Sequence, residues 1–239
     1  MKRLVRGLLR RFGYDMIRYG VEDDARLRRQ RLMDSTGVRF VLDVGANRGE
    51  YGLILRDQGY QGAIHSFEPA SAAFGMLEGT ISGDGLWQAH RCGLGLENGT
   101  ATLNVAANSY SSSLLDMADA HEALAPGAGY QGGEEVVVRR LDAMWPELAL
   151  PDGPGLLKVD TQGTELDVLR GAEAKLDRLP LLELELSFVE LYGGQPLFDE
   201  VHAWLVERGY RPVSFDVGIG QVVPETGEAL QADVIYRRG

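Results

Sequence analysis

Residues 40–52 read Phe40-Val41-Leu42-Asp43-Val44-Gly45-Ala46-Asn47-Arg48-Gly49-Glu50-Tyr51-Gly52. A short apolar run ends in an acid, Asp43, and glycines follow at Gly45 and Gly49. This order predicts a buried strand, a tight turn and a helix that starts near Glu50. Open α/β sheets hold nucleotide-like ligands at turns of this kind. A dinucleotide fingerprint needs glycine at three positions in the spacing G-x-G-x-x-G. Counted from Gly45, the second and third positions are Asn47 and Glu50.

A pyrophosphate at that turn would meet the carboxylates of Asp43 and Glu50. The pattern better suits a cofactor without phosphate and with a cationic, methionine-like end, which describes S-adenosyl-L-methionine (SAM). Asp43, Gly45, Asn47 and Gly49 would hold that end, with Tyr51 beside them. A nicotinamide cofactor on a Rossmann-type sheet is the competing reading. A strand-to-helix turn with no ligand is the plain one.

The rest of the chain alternates in the same way. Strands are expected at about 39–44, Ala63–Phe67, Trp87–Gly93, Gly155–Asp160 and Leu181–Phe188, with helices at about 49–58, 71–80, Glu165–Leu176 and Leu197–Arg208. Successive βαβ units imply a mostly parallel doubly wound sheet. Arg211–Asp216 and Ala232–Tyr236 have no helix between them, so they should pair antiparallel at the sheet edge. Residues 94–150 break the alternation. Thr100–Val105 and Glu135–Leu141 are strand-like, and a Gly-rich loop at 126–133 precedes the second. This region is expected to be an inserted hairpin near the ligand cleft. The domain proper is read as 39–239, preceded by a basic extension, 1–38.

Charge separates these two parts. Residues 1–31 hold ten Lys/Arg against four Asp/Glu, and the remainder holds fourteen against thirty-one. The net charge of −11 argues against general nucleic-acid binding. In Met1–Phe12 the apolar residues fall at helical spacing among basic ones, which predicts an amphipathic helix. Such a helix suits packing on its own domain, and it also leaves room for peripheral contact with an anionic membrane surface through residues 1–20. Equal pelleting with vesicles with and without those residues would end the second idea. The single cysteine, Cys92, permits no internal disulfide. That and the lack of a long apolar stretch fit a reducing, cytoplasmic setting, in which a membrane contact would lie at the inner face. The four histidines show no metal-ligand spacing.

Three further constellations carry chemistry. Glu68 ends the second strand and is followed by Pro69; an acid there accepts hydrogen bonds from ribose hydroxyls. Lys158-Val159-Asp160-Thr161-Gln162-Gly163-Thr164-Glu165 places Lys158 and Asp160 on one face of a strand end. A lysine in a buried strand needs a partner. Glu165 at a helix start could serve the helix dipole alone. In Leu182-Glu183-Leu184-Glu185-Leu186-Ser187 the leucines take one face, and Glu185 could pair with Lys158 or face the same cleft. Ser111, Ser112 and Tyr192 lie in loops that could line it, although a serine run is also an ordinary loop.

Together these pieces resemble the FkbM family of SAM-dependent methyltransferases. The resemblance rests on Asp43–Gly49, Phe67-Glu68-Pro69, Lys158–Glu165 with Leu169-Arg170-Gly171, Glu185-Leu186-Ser187 and Asp233–Tyr236, and spans about 40–237. It implies a class I methyltransferase fold and methyl transfer, usually to a hydroxyl oxygen of a sugar, glycan or polyketide-type acceptor. On that basis Asp160 is the expected base, Glu185 the alternative, and Lys158 the group that orients the carboxylate or meets alkoxide charge. Glu68 and Pro69 would serve the ribose, Cys92 and Gly93 the adenine, and Ser111, Ser112, Gln162 and Tyr192 the acceptor. Asp160 and Glu185 could instead share a divalent cation such as Mg²⁺. A SAM-binding protein without activity is the remaining alternative.

Overall fold

The computed structural model describes residues 24–124, 127–218 and 221–239, with residues 5, 8, 9, 11, 12 and 20 of the N-terminal stretch. Most of the expected helix over Met1–Phe12 lies outside the described residues. The first long helix described is α1, Ala25–Thr36. Asp24 caps it by accepting the Leu27 N–H at 3.0 Å, and Gly37 in the left-handed conformation closes it.

The main sheet is built from β1 (Phe40–Val44), β2 (Ala63–Phe67), β3 (Trp87–His90), β7 (Gly155–Val159), β8 (Leu181–Ser187), β9 (Tyr210–Asp216) and β10 (Gln231–Arg238). Its order is β3-β2-β1-β7-β8-β10-β9. The first five run parallel, and β10 is antiparallel to both β8 and β9. The fold is thus the expected α/β sheet with a C-terminal antiparallel pair. β1 is flanked by parallel strands on both sides and buried at all five positions, which is why its sequence is nearly continuous apolar. Strand order reverses between β1 and β7, and ligands bind at such a switch point, beyond the carboxyl ends of the strands.

Alternation along β1 sends Phe40, Leu42 and Val44 to one layer and Val41 to the other. The first layer is completed by α5 (Leu141–Met144), α6 (Glu165–Gly171) and α7 (Phe198–Glu207). The second is completed by α1, α2 (Glu50–Asp57) and α3 (Ser71–Thr80).

A second sheet, β4-β6-β5, comprises β4 (Gly93–Leu94), β5 (Gly99–Ala106) and β6 (Tyr130–Arg139), with α4 (Asp119–Leu124) in the excursion between β5 and β6. Three expectations are corrected here. The strand read as Trp87–Gly93 is split, because the chain turns at Cys92, whose N–H bonds to the His90 carbonyl at 2.9 Å, and β4 then joins β6 instead. The Gly-rich stretch is partly strand: Gly132 and Gly133 pair with Val105 and Asn104. The helix expected over Glu165–Leu176 stops at Gly171, where a Cβ would lie 2.1 Å from the Gly95 carbonyl oxygen, and a 3₁₀ turn takes over at Glu173–Arg178.

A candidate cofactor and acceptor cleft

At the switch point the turn after β1 folds back under the neighbouring strand ends. The N–H groups of Gly45 and Ala46 both reach the Phe67 carbonyl. Asn47, at φ 50°, donates its N–H to Glu68 Oε2 at 2.8 Å. Glu68 Oε1 accepts the Ala70 N–H at 2.9 Å. Burial raises the Glu68 carboxyl above its ordinary pKa, against the opposing effect of these two backbone bonds.

A cleft of about 370 Å³ opens above this turn, within the usual range of roughly 300–1,000 Å³ for small-molecule sites. Its walls include Gly45, Asn47, Tyr51, Glu68, Pro69 and Gly93, together with Asp160, Gln162, Glu185 and Ser112. Asn47 Oδ1 is buried and accepts no hydrogen bond. An unsatisfied acceptor in a cleft wall beside Glu68 suits an incoming ammonium, so the turn fits the methionine end of SAM.

Five expected contacts do not reach this cleft. Asp43 is fully buried beneath it, because its position in β1 shares the layer of Val41. Gly49, at φ 92°, heads α2 and packs where a Cβ would meet Leu77 at 2.9 Å. The Cys92 side chain turns into the core beside Met144, where burial pushes its thiol up to about 11. Ser111 is buried, and its carbonyl faces Tyr192. Tyr192 is itself buried behind the wall.

Beneath the cleft a polar rung crosses four parallel strands. Register places Ser66, Asp43, Lys158 and Glu183 side by side. Trp87 Nε1 donates to Ser66 Oγ, and Ser66 Oγ donates to Asp43 Oδ2, each at 3.0 Å. Lys158 Nζ lies 3.4 Å from Asp43 Oδ1, 3.4 Å from Asp160 Oδ2 and 3.2 Å from the Gly45 carbonyl oxygen. Burial alone would lower the Lys158 pKa, but Asp160, Asp43 and Glu185 together hold it above its ordinary value. Its ammonium thus bonds the Gly45 carbonyl and pairs with two carboxylates. Lys158 is therefore placed to orient Asp160 and the turn, and it also lines the cleft.

The rung ends on Arg29, which no pattern in the sequence singles out. Arg29 donates to Glu183 Oε1 at 3.0 Å and Tyr51 to Glu183 Oε2 at 2.7 Å, with the guanidinium over the Tyr51 ring at 4.7 Å. Arg29 and Glu183 are 7% and 9% exposed. Truncating one partner strands the other charge, so Arg29→Ala should cost about 3–5 kcal/mol in urea unfolding. A loss below about 1 kcal/mol would mean that Glu183 finds water or a proton once Arg29 is gone.

Asp160 sits just past β7 with its side chain 34% exposed to the cleft. Gln162 Nε2 donates to Asp160 Oδ1 at 2.7 Å and to Glu185 Oε2 at 2.6 Å. Gln221 Nε2 donates to Glu185 Oε1 at 3.2 Å, so both Glu185 oxygens are engaged. Burial, then Asp160 and Asp233, push the Glu185 carboxyl well above its ordinary pKa. Asp233, directly opposite Glu185 on β10, is pushed up to about 7, first by burial and then by Asp160. Glu165, read as a helix-dipole acid, turns inward: it accepts from the Thr161 and Gly163 N–H groups at 3.0 and 3.1 Å and fixes the loop. Among the described residues no group of three or more His, Cys, Asp or Glu side chains could hold a metal ion. No described helix is long and apolar enough to cross a membrane.

Comparison with known proteins places this geometry. The model of the FkbM methyltransferase domain matches residues 43–212. Methyltransferase 1 of Beauveria bassiana (strain ARSEF 2860) is 31% identical over 148 residues, which are 56% of this chain and 58% of that protein. The chain thus spans less than two thirds of that relative. Methyltransferase sdnD of Sordaria araneosa is 27% identical over 194 residues, 72% of this chain and 73% of its own length. Among solved structures, Streptococcus pneumoniae Sp1610 in complex with SAM is 14% identical with a TM-score of 0.48, covering 89% of this chain and 72% of that one. The family match runs from Asp43 in β1, through the whole Lys158–Glu165 segment, to the first residues of β9, and on that extent the chain belongs to the FkbM methyltransferase family.

Proposed function

We propose that this protein is a SAM-dependent O-methyltransferase acting on a hydroxyl of a sugar, glycan or polyketide-type acceptor. One observation supports it above the others. Asp160 stands beside the Gly45 turn at the switch point, held by Lys158 and Gln162, with part of its carboxylate open to the cleft. When bound, SAM supplies an electrophilic methyl on a sulfonium that leaves as a thioether. Gly45, Asn47 and Glu68 bind and orient that cofactor. The acceptor hydroxyl must lie in line with the methyl, and its proton passes to Asp160 as the new C–O bond forms. Positioning and proton removal are the two contributions the residues make. Glu185, with both oxygens taken by glutamine amides, serves as a fixed neighbour to the base.

Calorimetric titration tests the cofactor reading. S-adenosyl-L-homocysteine should bind and NAD⁺ should not; the reverse would move the protein to nicotinamide chemistry. A screen of hydroxylated sugars and polyketide-type acceptors for methyl uptake then tests the reaction.

A further inference from the structure

Behind the cleft wall a line of hydrogen bonds ends on the two carboxylates. Gln162 has φ 56°, in the left-handed region that a non-glycine residue occupies only when its surroundings hold it there. Its backbone carbonyl accepts Ser113 Oγ at 2.6 Å. Its side-chain nitrogen serves Asp160 and Glu185, as described above. Its side-chain oxygen accepts the Tyr192 hydroxyl at 2.7 Å. The Tyr192 oxygen is in turn 3.0 Å from His121 Nε2. Gln195 Oε1 accepts the N–H groups of both Leu191 and Tyr192, at 2.9 and 2.6 Å, and so fixes the backbone that carries the ring.

The chemistry of an amide gives this line a direction. Gln162 can face the carboxylates with nitrogen, which donates, or with oxygen, which repels them. A phenol has one proton, and of the two carbonyl oxygens it faces, Gln162 Oε1 at 2.7 Å is nearer than that of Ser111 at 3.4 Å. Given to Gln162 Oε1, the proton pins the oxygen end of the amide away from the cleft and requires His121 to present Nε2–H to the phenol oxygen. The line does not relay protons, because a carboxamide has no site that accepts and releases a proton near neutral pH. It ends at Gln162, and its effect is on geometry.

We propose that Tyr192, backed by His121, is a positioning residue for methyl transfer, whose hydroxyl sets the Gln162 amide so that one nitrogen holds Asp160 and Glu185 together. The inference rests on reading this cleft as the methyl-transfer site. It also gives the inserted region a task. Ser113 and His121, both between β5 and β6, and Tyr192, after β8, together support the loop that carries the base.

Nitrogen-15 labelling of glutamine side chains tests it. In the wild type, one side-chain NH₂, assigned by its disappearance in Gln162→Met, should be shifted downfield and exchange with solvent at least tenfold more slowly than the exposed glutamines. An NH₂ that exchanges like theirs overturns the proposal, whatever Tyr192→Phe then does. Tyr192→Phe removes the hydroxyl and keeps the ring. It should speed that exchange at least tenfold and leave the affinity for S-adenosyl-L-homocysteine within about twofold. With the hydroxylated acceptor found by screening, kcat should fall at least tenfold at an unchanged KM for SAM. Unchanged exchange or unchanged kcat in Tyr192→Phe overturns the positioning role. Failure of the wild type to bind S-adenosyl-L-homocysteine overturns the parent reading instead, which the amide signal by itself does not report.

Discussion

Gly45→Ala should abolish cofactor binding. Gly45 has φ 73°, and a Cβ built there would lie 1.8 Å from the Asp160 carbonyl oxygen and 2.8 Å from its carbon. Both are backbone atoms, so no flexible side-chain end can swing aside. The Gly45 carbonyl also receives Lys158, and its N–H reaches Phe67. Relieving the clash therefore moves the turn, the base and the ends of three strands together. We expect affinity for S-adenosyl-L-homocysteine to drop by about a hundredfold or more, with a stability loss on the order of 2–4 kcal/mol. Gly75→Ala is the control. It lies within α3 with open space around its Cβ position, and should be neutral or slightly stabilising. Wild-type affinity in Gly45→Ala would show that this turn is not the cofactor seat.

Asp160→Asn should separate binding from chemistry. Asparagine keeps the volume and still offers Gln162 an acceptor oxygen, but it cannot take the acceptor's proton. Loss of a general base costs about 10²–10⁴ in rate, and we expect the upper part of that range for an alcohol acceptor. Affinity for the cofactor should stay within a few fold, since the hydrogen bonds of Asn47 and Glu68 do not involve Asp160. Lys158 keeps Asp43 and the Gly45 carbonyl as partners, so the fold should survive. Comparable turnover by Asp160→Asn and wild type would remove Asp160 from the role of base. Glu185→Gln is a poorer probe, because it would set an amide nitrogen against the amides of Gln162 or Gln221.

The parts legible in the sequence are those fixed by local chemistry. β2 and α3 match the expected ranges residue for residue, since glycines, Pro69 and apolar runs delimit them. The shared face of Lys158 and Asp160 follows from strand alternation and appears as an ion pair. What escaped depends on register between strands and on distant segments. Asp43 reads as a cofactor contact at the end of an apolar run, but its parity within β1 and its neighbours Ser66 and Lys158 turn it into a buried support. Arg29 lies in a polar helix with no apolar stripe, and its partner Glu183 is over 150 residues away. The direction of the Gln162 amide is set by Tyr192 and His121, whose approach no spacing encodes.

The rung from Ser66 to Glu183 bears on how a mutational scan of this protein is to be interpreted. Asp43 has no exposed surface, and Lys158 is its cation. A Lys158→Ala protein that fails to turn over would be silent about catalysis, since the same change leaves an acid stranded in the sheet. Only paired replacements, such as Asp43→Asn with Lys158→Met, keep the interior electrically neutral. Loss of function in that pair, with the fold intact, would speak to chemistry. Asp43 and Lys158 are thus a single electrostatic unit, to be replaced together or left alone.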